Sequence, residues 1–411
     1  MKYLEYTIIQ NFKSLISSKT DSEVSNKTSN ILCISSWYPN RKSNVHGIFV
    51  KRHAKALSIF NPVYVIHPVA INAIKQTELS YHSEHNLSEL LVYYPKPNIQ
   101  IPIVSFFFKW YSYRKAILNG LHYLIKEKKI TFSLIWLNVF YPAALGALLV
   151  KRKLKIPMMV LEHWTGYLPE DGNYRGFAIR KLTEHTNKNS ECIIGVSENL
   201  LKNIAKHGLK NNFHVLQNVV DDVFFNFPLQ ETKLFQFVHV SSLDEEQKNI
   251  ELLVKAFRLV KEKNPTVFLK IIGSQSQESK IKALLLKYDL VSNNAVFLGE
   301  RTGKDLALEM SDCAALVLSS RYENMPVVIG EAMALGIPII SSDVGGISEH
   351  VTADRGILFQ SESIESLHEA INEICKGKKF NREEIRAYAA ACFNETKVGK
   401  ELADLVKKYE K

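Results

Sequence analysis

Paired cysteines, internal repeats and long charge-free runs are scarce in this 411-residue chain. Its five cysteines, at positions 33, 192, 313, 375 and 392, show no CxxC or other paired spacing. That excludes a disulfide framework and a thiolate zinc site, and it suits free thiols in a reducing compartment. No DxD stands between strand-like residues, and Asp221-Asp222 reads as a solvated linker pair, so no metal site is expected. No secretory signal is legible at the start. Residues 1–30 lack a long apolar core and close on a Ser/Thr/Asn run, which reads as a polar, loosely attached extension.

One run does lack charge: residues 130–150, ITFSLIWLNVFYPAALGALLV, long enough to span a bilayer. Its composition argues otherwise. FSLIWLN is rich in large and β-type residues, Tyr141-Pro142 breaks the run, and PAALGALLVKRKL restarts with proline in a helix's first turn and a basic end. The pattern predicts strand, turn and helix.

Acidic residues are scarce in the first half. The formal charge is +10 overall, but +15 over residues 1–217 and −5 over 218–411. Such asymmetry points to an anionic partner for the first half only. Basic residues there recur beside aromatics in FFFKWYSYRK (106–115), and again in IKEKK (125–129) and KRKLK (151–155). Each basic residue near an anionic leaflet contributes about 1 kcal/mol, so these segments suit a peripheral membrane position as well as the basic outer faces of ordinary helices. Nucleic acid is not expected, because no recognition motif appears.

What is abundant is apolar residue in a regular rhythm. Hydrophobic residues make up 46% of the chain, enough for two or three globular domains. ILCISSW (31–37), PVYVIHPV (62–69), LIWLN (134–138), MMVLEH (158–163) and CIIGVS (192–197) read as buried parallel strands. The rhythm pauses at 222–233 and resumes with FQFVHVSS (235–242), VFLKIIG (267–273), AVFLG (295–299), AALVLSS (314–320) and IPIISSD (337–343). Two such series predict an α/β protein of two doubly wound, Rossmann-like domains, over 31–222 and 223–390. A final helix in 391–411 is expected to pack back on the first. Ligands of such sheets bind beyond the carboxyl ends of the strands, so the interdomain cleft is the expected site.

The stretch RYENMPVVIGEAMALG, 321–336, follows one of those strands. Pro326 opens a helix and Gly336 stops it, which sets Glu323 just before the helix and Glu331 within it. The amides of Met325, Val327 and Val328 are first-turn donors suited to an anion. Carboxylates on either side suit hydroxyl groups, which donate to them. A ligand with hydroxyls on both sides of a phosphate is a nucleotide sugar. The bland alternative makes Glu323 a helix cap and Glu331 a solvated residue.

This E-x7-E arrangement, followed by a strand and DVGG, resembles the donor site of retaining family 4 glycosyltransferases of the GT-B architecture. Other segments resemble the family in order and spacing: SSWYPNRKSNVHGIFVKRHAKAL (35–57), VLEHWTG (160–166), GVSENL (195–200), LQNVVDDVFF (216–225) and HVSSLDEEQKNIELLVKAF (239–257). The resemblance implies that Glu331 holds ribose hydroxyls and that Glu323 lies near the transferred sugar. By the same likeness, Met325, Pro326 and Val327 meet sugar and diphosphate through their backbone, and Lys248 neutralises the diphosphate. His163 falls where the family has a histidine beside the donor sugar, and Gly47 where backbone approaches phosphate. Gly273, at the end of VFLKIIG, falls within the same donor-binding set.

Two departures stand out. The family's Gly-Arg pair is Ser241-Ser242 here, which removes a positive charge from the phosphate site; Arg301 or Arg321 could replace it. Val219 stands where the linker motif usually has glycine. The resemblance implies sugar transfer with retention, without a bound cofactor or metal, from a UDP- or GDP-type donor to a glycan or lipid-linked acceptor in surface-glycan synthesis. It also implies a cytoplasmic protein, at the inner face of the plasma membrane if the basic segments bind lipid. The alternatives are a GT-B-type sugar-nucleotide epimerase and a catalytically silent scaffold.

Overall fold

The computed structural model describes residues 29–410, apart from residue 73 and residues 291–293. Most of the extension expected over 1–30 therefore lies outside the described residues. The first sheet contains β1 (Ile31–Ser35), β2 (Val63–Ile71), β3 (Glu78–Glu84), β4 (Leu87–Pro95), β5 (Leu134–Asn138), β6 (Met158–Glu162), β7 (Cys192–Gly195) and β8 (Phe213–Val215). Its order is β3-β4-β2-β1-β5-β6-β7-β8, parallel throughout except for the antiparallel pair β3–β4. Every residue of β1, β5 and β6 is buried, which is why these strands read as unbroken apolar runs. Helices α1 (Ile48–Ser58), α2 (Pro102–His122), α3 (Ala144–Leu154), α4 (Phe177–Lys188) and α5 (Glu198–Lys206) run between the strands.

The uncharged run is β5, a turn and α3. Pro142 stays in the turn; it does not enter the first turn of α3, which starts at Ala144 and ends where Lys155 turns left-handed at φ 56°. No helix among the described residues is long and apolar enough to cross a membrane.

The second sheet contains β9 (Lys233–Ser241), β10 (Phe268–Gly273), β11 (Ala295–Gly299), β12 (Cys313–Leu318), β13 (Ile339–Ser342) and β14 (Gly356–Phe359). These are parallel in the order β11-β10-β9-β12-β13-β14. Around them lie α6 (Asp222–Phe225), α7 (Glu245–Lys248), α8 (Ile250–Lys263), α9 (Glu278–Lys287), α10 (Gly303–Ser311), α11 (Val327–Ala334), α12 (Ile364–Cys375) and α13 (Arg382–Phe393). Local chemistry sets the helix starts: Ser363 accepts the Ser366 amide, and Asn381 accepts those of Glu383 and Glu384.

The chain crosses between domains twice, and the crossings touch: the Val220 amide donates to the Phe393 carbonyl at 3.0 Å. After the second crossing, Asn394 caps α14 (Glu395–Tyr409). Val398, Leu402 and Val406 of α14 share a core with Ile31, Val50 and Leu57 of the first domain. The domains also meet at α5, whose first amides, on Glu198 and Asn199, donate to Glu349 at 3.0 and 2.8 Å. A carboxylate from one domain thus caps a helix of the other.

Candidate functional site

Beyond β12 the chain runs through Ser319–Met325 to Pro326, whose extended backbone (φ −63°, ψ 128°) precedes α11. Glu323 and Glu331 are both buried, at 6% and 5% exposure. Burying a carboxylate without a partner is costly, and here each has a cation. Lys248 Nζ forms an ion pair with Glu323, which also accepts from Ser320 Oγ at 2.7 Å. The short α7 delivers this lysine, and its carbonyl is held by Ser319 Oγ at 2.8 Å. Glu331 Oε1 lies 2.8 Å from Arg52 Nη1, and Arg52 Nη2 lies 2.7 Å from Asp221 Oδ2. Arg52 belongs to α1 of the first domain and Asp221 to the first crossing, so this cluster joins three segments.

The loop bearing Glu323 rests on DVGG. Gly345, at φ +60°, lies so close to the Glu323 carbonyl that an added Cβ would stand 1.7 Å from its oxygen. The Gly346 amide donates to the Asn324 carbonyl at 2.8 Å. Glycine is needed there for both conformation and space.

Two cavities adjoin this loop. The larger, about 560 Å³, lies between the domains. Asn44, Val45, Ile48 and Arg52 form its first-domain wall, facing Ser242, Lys248, Arg301, Pro326, Val327, Glu323 and Glu331. The smaller, about 310 Å³, is bounded by Trp37, Phe49, His163, Trp164, Asn218 and Met325. Glu323, Pro326 and Val327 line both, so the start of α11 is the partition between them.

Gly47 and Gly273 line neither cavity. Gly47 is left-handed at φ +70°, and a Cβ there would meet the Trp37 carbonyl carbon at 2.5 Å, so its freedom serves the loop between β1 and α1. Gly273 packs beneath the Ser241 carbonyl and shapes the turn that carries Ser242. The two arginines differ as well. Arg321 is committed to scaffolding: it pairs with Glu362 and donates to the carbonyls of Glu245 and Glu246. Arg301 lines the larger cavity and donates to the Glu300 carbonyl, with no ion pair among the described residues.

His163 stands just past β6. Its carbonyl accepts from the Asn324 side chain at 2.6 Å, which ties the two domains together at the smaller cavity. Its ring lies 4.4 Å from that of Phe49 and 5.5 Å from that of His53, and its buried Nε2 has no partner. Burial and the neighbouring His53 hold its pKa well below the usual imidazole range. A neutral ring can accept or donate, according to tautomer. The adjacent Glu162 is fully buried with no cation paired to it among the described residues; it accepts the amides of Phe140, His163 and Trp164 at 3.0, 2.8 and 2.8 Å. Burial pushes its pKa up to about 7, although those amides oppose the shift.

Sequence reasoning missed Arg52, Glu162 and Asn324. One signal was available for the first: two buried acids need two cations, and Lys248 is only one. Among the described residues no group of three or more His, Cys, Asp or Glu is placed to hold a metal ion. The larger cavity combines one lysine, two arginines and the first-turn amides of α11, which suit an anion, with acids that can accept from hydroxyls.

Residues 82–224 match the Glycosyltransferase Family 4 model and residues 220–391 the Glycosyl transferases group 1 model. An uncharacterised glycosyltransferase of Methanocaldococcus jannaschii is 29% identical over 278 residues, covering 65% of this chain and 73% of that protein. A GDP-mannose-dependent monoacylated alpha-(1-6)-phosphatidylinositol monomannoside mannosyltransferase of Corynebacterium glutamicum is 30% identical over 135 residues, 31% of this chain and 35% of its own length. HepE of Anabaena, solved in complex with UDP, superposes with a TM-score of 0.69 at 15% identity over 92% of this chain and 100% of its own. The two family models meet at the first crossing between the sheets. The chain thus belongs to the glycosyltransferases, with a Family 4 domain followed by a group 1 domain in the GT-B architecture.

Proposed function

We propose that the protein transfers a sugar from a UDP- or GDP-type nucleotide sugar to a glycan or lipid-linked acceptor in surface-glycan synthesis, with retention of configuration and without a metal. The observation that carries this reading is the partition at the start of α11, where one acid and one helix end face two cavities at once. In this reading the donor lies in the larger cavity and the acceptor approaches through the smaller. Glu331 accepts from the ribose hydroxyls. The amides of Val327 and Val328, Lys248 and Arg301 take up the charge of the leaving diphosphate, with Arg301 offsetting the arginine absent at Ser242. Glu323, held by Lys248, accepts from hydroxyls of the transferred sugar, and His163 borders the same sugar. The acceptor's proton passes to a donor phosphate oxygen on the face where the new bond forms. UDP bound to HepE, and the GDP-mannose dependence of the mannosyltransferase, are consistent with a nucleotide-sugar donor.

The acceptor side of this reading includes an anionic lipid surface at the inner face of the plasma membrane. On α2 and its leading residue, Ile101, Val104, Phe107, Phe108 and Tyr111 are exposed beside exposed Lys109 and Lys115. An apolar stripe with basic neighbours fits the headgroup boundary of an anionic leaflet. Thermal shift against a panel of sugar nucleotides tests the donor, because a bound ligand raises apparent stability. Slow donor hydrolysis to free sugar would support transfer; an isomerised donor would favour an epimerase, and neither product would favour a scaffold. Liposome flotation tests the surface: binding is expected on anionic vesicles and should fade as salt rises. Equal behaviour on neutral vesicles would remove the membrane from the proposal.

A further inference from the structure

We propose that Arg52 is a positioning residue that orients Glu331 for ribose recognition, so that a side chain of the opposite domain completes the nucleotide pocket. The inference rests on the reading of Glu331 as the acid that holds ribose hydroxyls. Arg52 is 7% exposed, and its guanidinium spans two acids from two other segments, Asp221 in the crossing and Glu331 in α11. The planar fork meets Glu331 at Oε1 through Nη1, and Glu331 lines the larger cavity. A carboxylate pinned at one oxygen by a rigid donor presents the other in a fixed direction. Asp221 holds the second arm of the fork, so Arg52 cannot swing away while the crossing stays in place.

The crossing is itself pinned. The Asn218 side chain donates to the Met325 carbonyl at 2.8 Å, and the His53 ring, one residue beyond Arg52, contacts the Gln217 carbonyl at 3.0 Å. Arg52 Nε is buried with no partner. Because Arg52 and Glu331 sit on different domains, parting the domains separates them. Ribose recognition is therefore complete only when the cleft is closed.

The test compares binding of UDP and GDP with that of their 2′,3′-dideoxy forms by calorimetry, with thermal melts as a folding control. The wild-type protein should prefer one ribonucleotide over its dideoxy form by about tenfold or more, as loss of a hydrogen bond to a charged group implies. Arg52→Met should reduce that preference to within about twofold, Glu331→Gln should do the same, and the double variant should be no worse than either. If Arg52→Met weakens ribo and dideoxy forms equally, Arg52 is only an interdomain strut and the inference fails while the donor reading stands. If the wild type binds neither nucleotide, the donor reading fails and takes this inference with it. Should Arg52→Met not fold, Arg52→Lys decides: it keeps the charge and loses the fork, so an unchanged ribose preference would overturn the proposal.

Discussion

Glu162, the last residue of β6 in the first domain, and Glu323, beyond β12 in the second, stand on opposite walls of the cleft, where Asn324 donates to the carbonyl of His163. Both are buried, and the two domains meet that cost differently. Glu323 is neutralised by a lysine side chain from its own domain. Glu162 has only dipoles: three amides from the ends of β5 and β6, with the Tyr167 hydroxyl farther off at 3.5 Å. Glu331 is a third case, paired across the domain boundary. A lysine can be deleted by mutation and leaves its partner stranded; backbone amides cannot be deleted, and they hold the backbone that supplies them. Glu162 therefore works as a clamp on the His163–Trp164 turn, whereas Glu323 and Glu331 keep an oxygen edge toward the cavity.

The sharpest way to break this comparison is Lys248→Ala. Glu323 would be left buried and unpaired, and removing one partner of a buried pair costs about 3–5 kcal/mol. Urea unfolding should show that loss, and adding Glu323→Gln in the same chain should recover a substantial part of it. Failure to recover would mean that Lys248 stabilises through something other than the pair.

Glu162→Gln comes next, and its signature is a pH slope. The fold raises the Glu162 pKa from 4.5 to about 7, so the native state holds this proton more tightly than the unfolded chain. That contribution is full below about 4.5 and is lost as pH rises toward about 7, a change of order ~3 kcal/mol. The Gln variant should flatten this fall when unfolding is measured across the window. His53 and His163, whose pKa values burial lowers, give the opposite slope below 6.5 in both proteins. They cancel in the difference curve, and an identical slope in the two proteins would remove the clamp.

Glu331→Ala should weaken nucleotide binding by about 1.5–3 kcal/mol, the usual cost of a lost charged hydrogen bond. Its stability effect should be smaller than that of Lys248→Ala, because Arg52 keeps Asp221. Calorimetry beside urea unfolding separates the two quantities. The smallest stability effect is expected for Arg301→Ala, within about 0.5 kcal/mol, since no ion pair is lost. Affinity for the diphosphate should nonetheless fall; unchanged affinity would leave Arg301 a bystander.

The parallel core strands were legible because strands buried on both faces must be apolar throughout, as ILCIS and LIWLN are. The β3–β4 hairpin was not. Glu78–Glu84 carries Glu, Ser, Tyr and His on an edge strand with much of its surface open to solvent, so no apolar pattern marks it. β8 and β14 are short and only partly buried, so unlike the equally short but fully buried β7 and β13 they leave no unbroken apolar run. Within the site, Glu323, Glu331 and Lys248 were legible from motif spacing along one domain. Arg52 lies among other basic residues in KRHAKAL and looks like surface charge until α1 meets α11. Arg301 and Arg321 were indistinguishable in sequence, and only their partners separate them.

Sequence by itself determined the local elements, the two-domain division and the placing of two acids around a helix start, because each depends on residues close together in the chain. Tertiary structure alone decided how those acids are paid for, which arginine stays open to the cleft, and that the larger cavity takes a wall from each domain. Ion pairs and buried amides depend on distances of a few ångströms between segments far apart in sequence, as with Arg52 and Glu331 at 2.8 Å. No periodicity or spacing along the chain encodes such a distance; it arises only when the two sheets are packed and the crossings are closed.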